Sequence, residues 1–321
     1  MAPLVWLVTG TTSGIGRALV DQIISRGDKI IAAGRKVEQR LGSIKSDSVA
    51  LLELDVAAGR EVITAKINEA WNIFGHIDIL LNNAGMSAIR SAEESDDAYI
   101  NTMFTVNLFG QMHITSAILP LLRARAAAGK PARIGFTSSS TAWAPLPFMS
   151  HYAASKAALS AYVEGLHKEL KPLGIQCVAF ECGGCLTHLG QPREEKPAAA
   201  AATTTGEESG GALKAYEKGF ADLMGMFGSD PMAFMPGDAA RVAERMVAVV
   251  TMGLGVEGGV TGKKWAVRVV LGSDAYDHVR QKCEEMLKLT EEWKYLSYST
   301  DRDGYGGVTQ RSYLDMVSIL E

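Results

Sequence analysis

Cysteine is scarce. Four occur in 321 residues, Cys177, Cys182, Cys185 and Cys283, which does not make a disulfide scaffold in a chain of this length. Cys182-Gly-Gly-Cys185 has C-x-x-C spacing, but no second pair completes a zinc site. It also follows a predicted strand, whereas a redox dithiol opens a helix. No metal is expected. Positive charge is not in excess: 32 Lys and Arg face 36 Asp and Glu, for a net charge of −4. No basic block is present that would track phosphates along a nucleic acid, so no nucleic-acid partner is expected. Long apolar runs are missing too. A membrane helix needs roughly 18 or more apolar residues, and the stretch 242–256 is broken by Glu244 and Arg245. The first residues, Met1 to Trp6, lack the positive flank and long apolar run of a signal peptide. No membrane association is expected, and the expected location is cytoplasmic.

What remains is ordinary globular material, 47% apolar and 21% charged, sufficient for a sizeable core. Short β-branched apolar runs at 4–9, 29–33, 49–54, 77–81, 133–137, 175–180 and 265–271 read as strands. Amphipathic stretches at 15–26, 60–74, 96–125 (with Pro120 late in it), 152–170, 212–226, 238–251 and 274–294 read as helices. Apolar strands alternating with helices predict an α/β fold: a doubly wound parallel sheet of about seven strands, with helices on both faces. Ligands of such sheets bind beyond the carboxyl ends of the strands. Residues 197–212, PAAAAATTTGEESGGA, are low in complexity and predict a mobile loop. The tail 297–321 shows no clear period.

Strand one runs into Thr9-Gly10-Thr11-Thr12-Ser13-Gly14-Ile15-Gly16. Glycines at 10, 14 and 16 allow a tight turn and close backbone approach to a pyrophosphate, which then rests on the free N–H groups of the next helix. Strand two ends Ala33-Gly34-Arg35-Lys36 with no acid to bind an adenine ribose 2′-hydroxyl. Arg35 suits a 2′-phosphate, with Lys36 and Arg17 adding charge, so the expected cofactor is NADP(H). Asp55, at the end of strand three, is placed for the adenine amine.

Tyr152 and Lys156 lie one helical turn apart on the same face. A lysine cation beside a tyrosine is expected to lower the phenol pKa toward a useful range. Ser139, at the end of strand five, is placed to hold a substrate oxygen, with Ser138 and Ser140 as competitors.

The joint pattern resembles the short-chain dehydrogenase/reductase family of the Tyr-x-x-x-Lys type, over about residues 4–275. Thr9–Gly16, Asn82-Asn83-Ala84-Gly85, Asn107, Ser139 with Tyr152-Ala-Ala-Ser-Lys156, and Glu181-Cys-Gly-Gly-Cys-Leu-Thr187 carry the resemblance, the last block in a fungal-looking form. It implies a Rossmann-type fold and a catalytic set. Tyr152 would donate the proton, Lys156 would lower its pKa and bind the nicotinamide ribose, Ser139 would orient the substrate oxygen, and Asn107 would hold a relay water. It also implies cofactor contacts from Gly10, Thr12, Ser13, Gly14, Ile15, Gly16, Arg35, Asp55, Val56, Asn83, Ala84, Gly85, Gly183 and Thr187. One departure is plain: Cys182 stands where the family usually has proline, and Cys185 where an aromatic is usual.

The resemblance places Trp143, Met149, Met86, Gly184 and Cys185 near the substrate, under a lid at about 188–235. The loop Trp143-Ala-Pro-Leu-Pro-Phe-Met149 is unusually apolar and points to a bulky apolar substrate. His151 is expected to play a minor part at most, since adjacent helix residues point apart. Residues 1–275 are expected to form one dinucleotide-binding and catalytic domain, and 276–321 a C-terminal helix and tail. Relatives of this kind are often dimers or tetramers, so a homodimer or homotetramer is implied. The expected activity is reduction of a ketone by NADPH, with secondary metabolism as the expected setting. The alternatives are oxidation of a secondary alcohol and a redox-neutral or binding protein that keeps the fold.

Overall fold

Four consecutive apolar residues and a buried threonine leave no face for water, so β1 (Val5–Thr9) is buried throughout, as a central strand is. In the computed structural model, which describes residues 2–185, 214–229, 235–254, 262–304 and 309–319, it is flanked on both sides. β2 (Lys29–Gly34) and β3 (Val49–Glu53) lie to one side; β4 (Ile79–Asn82), β5 (Arg133–Ser139), β6 (Gln176–Cys182) and β7 (Arg268–Leu271) lie to the other. All pairings are parallel, and the order is β3-β2-β1-β4-β5-β6-β7. The chain reverses its direction of winding between β1 and β4, which opens a crevice at their carboxyl ends.

Parallel strands need crossovers, and the helices that make them cover both faces. α3 (Arg60–Phe74), α5 (Gly110–Ala127) and α6 (Ser150–Leu170) bury Ile63, Ile67, Ile114, Ile118, Leu159 and Val163 on one face. The other face is covered by α1 (Gly14–Ser25), the short α2 (Val37–Leu41) and α8 (Ala239–Val250), through Leu19, Ile23, Leu41, Met246 and Val250. The doubly wound fold expected from the alternation is the fold observed.

Differences from the sequence reading have local causes. The long helix expected at 96–125 is divided into α4 (Asp97–Phe104), a π-helical turn at Thr105–Phe109, and α5. Gly110 marks the division: a Cβ there would lie 2.0 Å from the Val56 carbonyl oxygen, so only glycine lets α5 start this close to the loop after β3. Five-residue α2 is too short to show a period. Trp265 precedes β7 instead of joining it, donating its indole N–H to the Cys177 carbonyl at 2.9 Å. Beyond β7 come α9 (Ser273–Glu292), α10 (Lys294–Tyr298) and α11 (Arg311–Val317); the last gives order to part of a tail with no visible period. The loop at 197–212 and most of the lid at 188–235 lie outside the described residues. Of the lid, α7 (Glu217–Ser229) is described.

Candidate active site

The turn after β1 is closed by contacts that exclude side chains. Gly10 has φ +70° and Gly14 φ +54°, the left-handed region. A Cβ on Gly10 would lie 2.7 Å from the Ala84 Cα, and one on Gly16 would lie 2.0 Å from the Gly10 carbonyl oxygen. Asn83 braces this turn. Its side chain donates to the carbonyls of Thr9 (3.1 Å) and Gly10 (3.3 Å) and accepts from the Thr137 hydroxyl (3.0 Å). Thr9 Oγ1 accepts from the amides of Asn83 and Ala84, each at 3.0 Å. Asn83 therefore couples the ends of β1, β4 and β5. Thr9 and Thr137 share the task, although neither stands out in the sequence because a hydroxyl partner cannot be read without tertiary contacts. α1 begins with no acidic residue in its first turn and no side-chain cap, so its amide dipoles are available to an anion.

A cleft of about 540 Å³ runs from this turn in both directions. One end is lined by Arg35, Lys36, Arg40, Leu54, Asp55 and Val56. Lys36 turns left-handed (φ +52°), and the Glu53 carboxylate accepts from the amides of Lys36 (2.5 Å) and Val37 (3.0 Å), so this acid is committed to the turn. Asp55 holds its own loop by accepting from the Ala57 amide at 2.9 Å. Arg40 was not foreseen, because α2 is too short to predict. Arg17, expected to add charge, does not line the cleft; it pairs with Asp21 on the surface at 2.8 Å.

The other end is lined by Gly85, Thr137, Ser138, Ser139, Tyr152, Lys156, Cys182, Gly183 and Cys185. Ser139 and Tyr152 line the cleft side by side, close enough for Ser139 to pull the phenol pKa down. The Ser139 hydroxyl accepts from the Thr141 amide at 3.2 Å. Ser138 turns instead toward α6, 2.8 Å from the Ser160 hydroxyl. Lys156 donates to the Thr137 carbonyl at 2.8 Å and lies 5.9 Å from the Tyr152 ring centre. The net shift of the tyrosine is upward, against the downward shift expected from the lysine. Burial disfavours the phenolate and pushes Tyr152 up to about 12, while Ser139 pulls the other way. Burial likewise pushes Lys156 down to about 8. Asn107 is buried in the π-helical turn and does not line the cleft. Its side chain grips the Met86 backbone at both ends, accepting from the amide (2.8 Å) and donating to the carbonyl (2.9 Å), and it meets Ser155 Oγ at 3.0 Å. The side chain thus holds the loop after β4.

The sequence pattern described as short chain dehydrogenase matches residues 4–198. The chain belongs to the short-chain dehydrogenase family. It is similar to oxidoreductase BOA17 of Botryotinia fuckeliana, 24% identical over 92% of this chain and 98% of that one. It is also 31% identical to the NADPH-dependent 1-acyldihydroxyacetone phosphate reductase of Saccharomyces cerevisiae, over 58% of this chain and 63% of that protein. The crystal structure of a short-chain dehydrogenase from Streptomyces avermitilis superposes with a TM-score of 0.73 at 26% identity, covering 94% of this chain and all of that one.

As a short-chain dehydrogenase the chain is an oxidoreductase using a nicotinamide cofactor, and its own residues fit that group. The glycine turn leaves a cradle that a Cβ at Gly10 or Gly16 would fill, and the cationic and tyrosine-bearing ends suit the two halves of a dinucleotide. The substrate side differs more from expectation. Trp143, Met149 and Gly184 do not line the cleft, whereas Met86 and Cys185 do. Trp143 instead donates to the buried Glu181 carboxylate at 2.6 Å, and Arg268 lies over its ring at 4.0 Å while pairing with Glu181 and Glu164. This short-chain dehydrogenase therefore uses the tryptophan to hold the turn after Ser139. His151 packs edge-on against Tyr99, ring centres 6.4 Å apart. Burial raises both cleft thiols, Cys182 to about 12 and Cys185 to about 11. Both shifts disfavour the thiolate that redox chemistry at the C-x-x-C spacing would need. Thr187 lies outside the described residues.

Proposed function

We propose that this chain is an NADPH-dependent reductase of bulky apolar ketones, with residues 1–275 as the catalytic unit and 276–321 appended to it. The observation that carries this reading is the placement of Ser139, Tyr152 and Lys156 together at one end of a cleft whose other end carries Arg35, Lys36 and Arg40. A protonated phenol is ready to give a proton, as reduction requires; oxidation of an alcohol needs the phenolate first. The bound cofactor would supply the hydride. Ser139 and Tyr152 bind the carbonyl oxygen, and the Tyr152 proton moves to that oxygen as negative charge develops there. Lys156, charged below about 8, stabilises the phenolate left behind. Arg35, Lys36 and Arg40 at the opposite end supply the positive charge that a 2′-phosphate needs. The NADPH-dependent yeast relative supports the same preference. The apolar residues Met86, Val106 and Cys185 along the cleft support a bulky apolar ketone.

The deciding experiment follows NADPH absorbance against ketones from small aliphatic to polycyclic. Consumption with the bulky apolar group and little with acetone is expected. Consumption by none of them, despite tight NADPH binding, would favour a redox-neutral or binding protein.

The pH profile separates the two directions. Lys156 has a depressed pKa of about 8, so its charge is present below that value and lost above it. Reduction should be fastest below pH 8 and fall by roughly tenfold per unit well above it, as for loss of one essential proton. A reduction rate that climbs from pH 8 to 10 would overturn the assignment of Tyr152 as a pre-protonated donor.

A further inference from the structure

β6 runs out into Cys182-Gly183-Gly184-Cys185, a turn with two glycines and no proline, so its own sequence does little to fix the backbone. Neither glycine has a positive φ. The backbone conformation therefore does not require them, and the reason for Gly183 lies in what packs against it. A Cβ at Gly183 would lie 2.2 and 2.5 Å from the two carboxylate oxygens of Asp274, and one at Gly272 would lie 2.5 Å from Oδ1. The Asp274 side chain is wedged between two glycines. Its Oδ2 accepts from the Gly184 amide at 2.7 Å, while the Gly183 amide donates to the Leu271 carbonyl at 2.8 Å. Its Oδ1 is buried without a hydrogen-bond partner among the described residues. A carboxylate oxygen left so costs stability, which a residue serving only the fold would have no reason to incur. Asp274 also contributes, after burial, to the raised thiols of Cys182 and Cys185, as a charge close to both must.

We infer that Asp274 is the positioning residue that sets the cleft wall opposite Tyr152, by clamping the turn whose Cys182, Gly183 and Cys185 line it. This rests on the reading of that end of the cleft as the nicotinamide end. Asp274 stands at the start of α9, outside the matched residues 4–198, so the wall is clamped by a segment that the family match does not reach.

The test measures the affinity of the full chain for NADPH and for 2′,5′-ADP, which lacks the nicotinamide half. Asp274→Ala should weaken NADPH by about tenfold, the scale of one charge-assisted hydrogen bond, and leave 2′,5′-ADP unchanged. Asp274→Asn keeps the shape and an acceptor but no charge, and should weaken NADPH by about threefold, again selectively, since neutral hydrogen bonds are roughly half as strong. Equal loss of both ligands would reduce Asp274 to a fold residue, and unchanged NADPH binding would overturn its role. If Asp274→Ala does not fold, the Asp274→Asn result decides in the same way. Wild-type protein that binds neither ligand would instead remove the cofactor reading, and this inference with it.

Discussion

Tyr152→Phe should lower turnover by roughly 10²- to 10⁴-fold, the usual contribution of a positioned general acid, while NADPH binding changes little. The substitution removes one hydroxyl from a side chain that is only 7% exposed. The ring keeps its packing, so the fold should survive. What is lost is the proton that Tyr152 would deliver. Lys156 still donates to the Thr137 carbonyl, so the floor of the site is unaltered. Single-turnover measurement at saturating NADPH, with a parallel fluorescence titration of the cofactor, separates chemistry from binding. A variant retaining more than about a tenth of wild-type turnover would exclude Tyr152 as the proton donor, because even a weak general-acid contribution exceeds that. A variant that loses cofactor binding as well would point to a structural role for the hydroxyl.

Arg35→Asp should shift the ratio of kcat/KM for NADPH over NADH by about 10²- to 10³-fold toward NADH. Two effects add. Losing a charge-assisted contact to the 2′-phosphate costs roughly 1.5–3 kcal/mol, or about 10- to 100-fold. The new carboxylate repels the phosphate and accepts from the ribose 2′-hydroxyl that NADH offers there. Arg40→Ala should move the ratio the same way by about the lower of those amounts, since one contact is lost and no repulsion is added. Glu53 does not confuse this result. Its carboxylate is held by the Lys36 and Val37 amides, so the acid already near the site is engaged with backbone. Steady-state kinetics with both cofactors is the measurement. An unchanged ratio in Arg35→Asp would remove Arg35 from the phosphate end, and with it the main argument for NADPH.

Local sequence determined the architecture because the signals involved are local. A short apolar β-branched run such as residues 5–8, ended by a glycine turn, reads as a buried strand, and Arg60–Phe74 shows its helix by period. The glycines before α1 and the Tyr152–Lys156 spacing are likewise legible, since each depends on residues within one turn of chain. Tertiary structure decided what those groups experience. Burial, which spacing cannot report, overrode the expected effect of Lys156 on Tyr152. Trp143 braces the turn after Ser139 because Glu181 and Arg268, 38 residues or more away in sequence, take its indole. Asn107 became a clamp on Met86 through a π-helical turn that periodicity reads as plain helix. Arg40 joined the phosphate end, and Asp274 the wall beside Cys182, because folding brings distant segments to one sheet edge. Short-range order is written in side-chain pattern and backbone freedom. The environment of a buried group is set by whatever the fold packs against it.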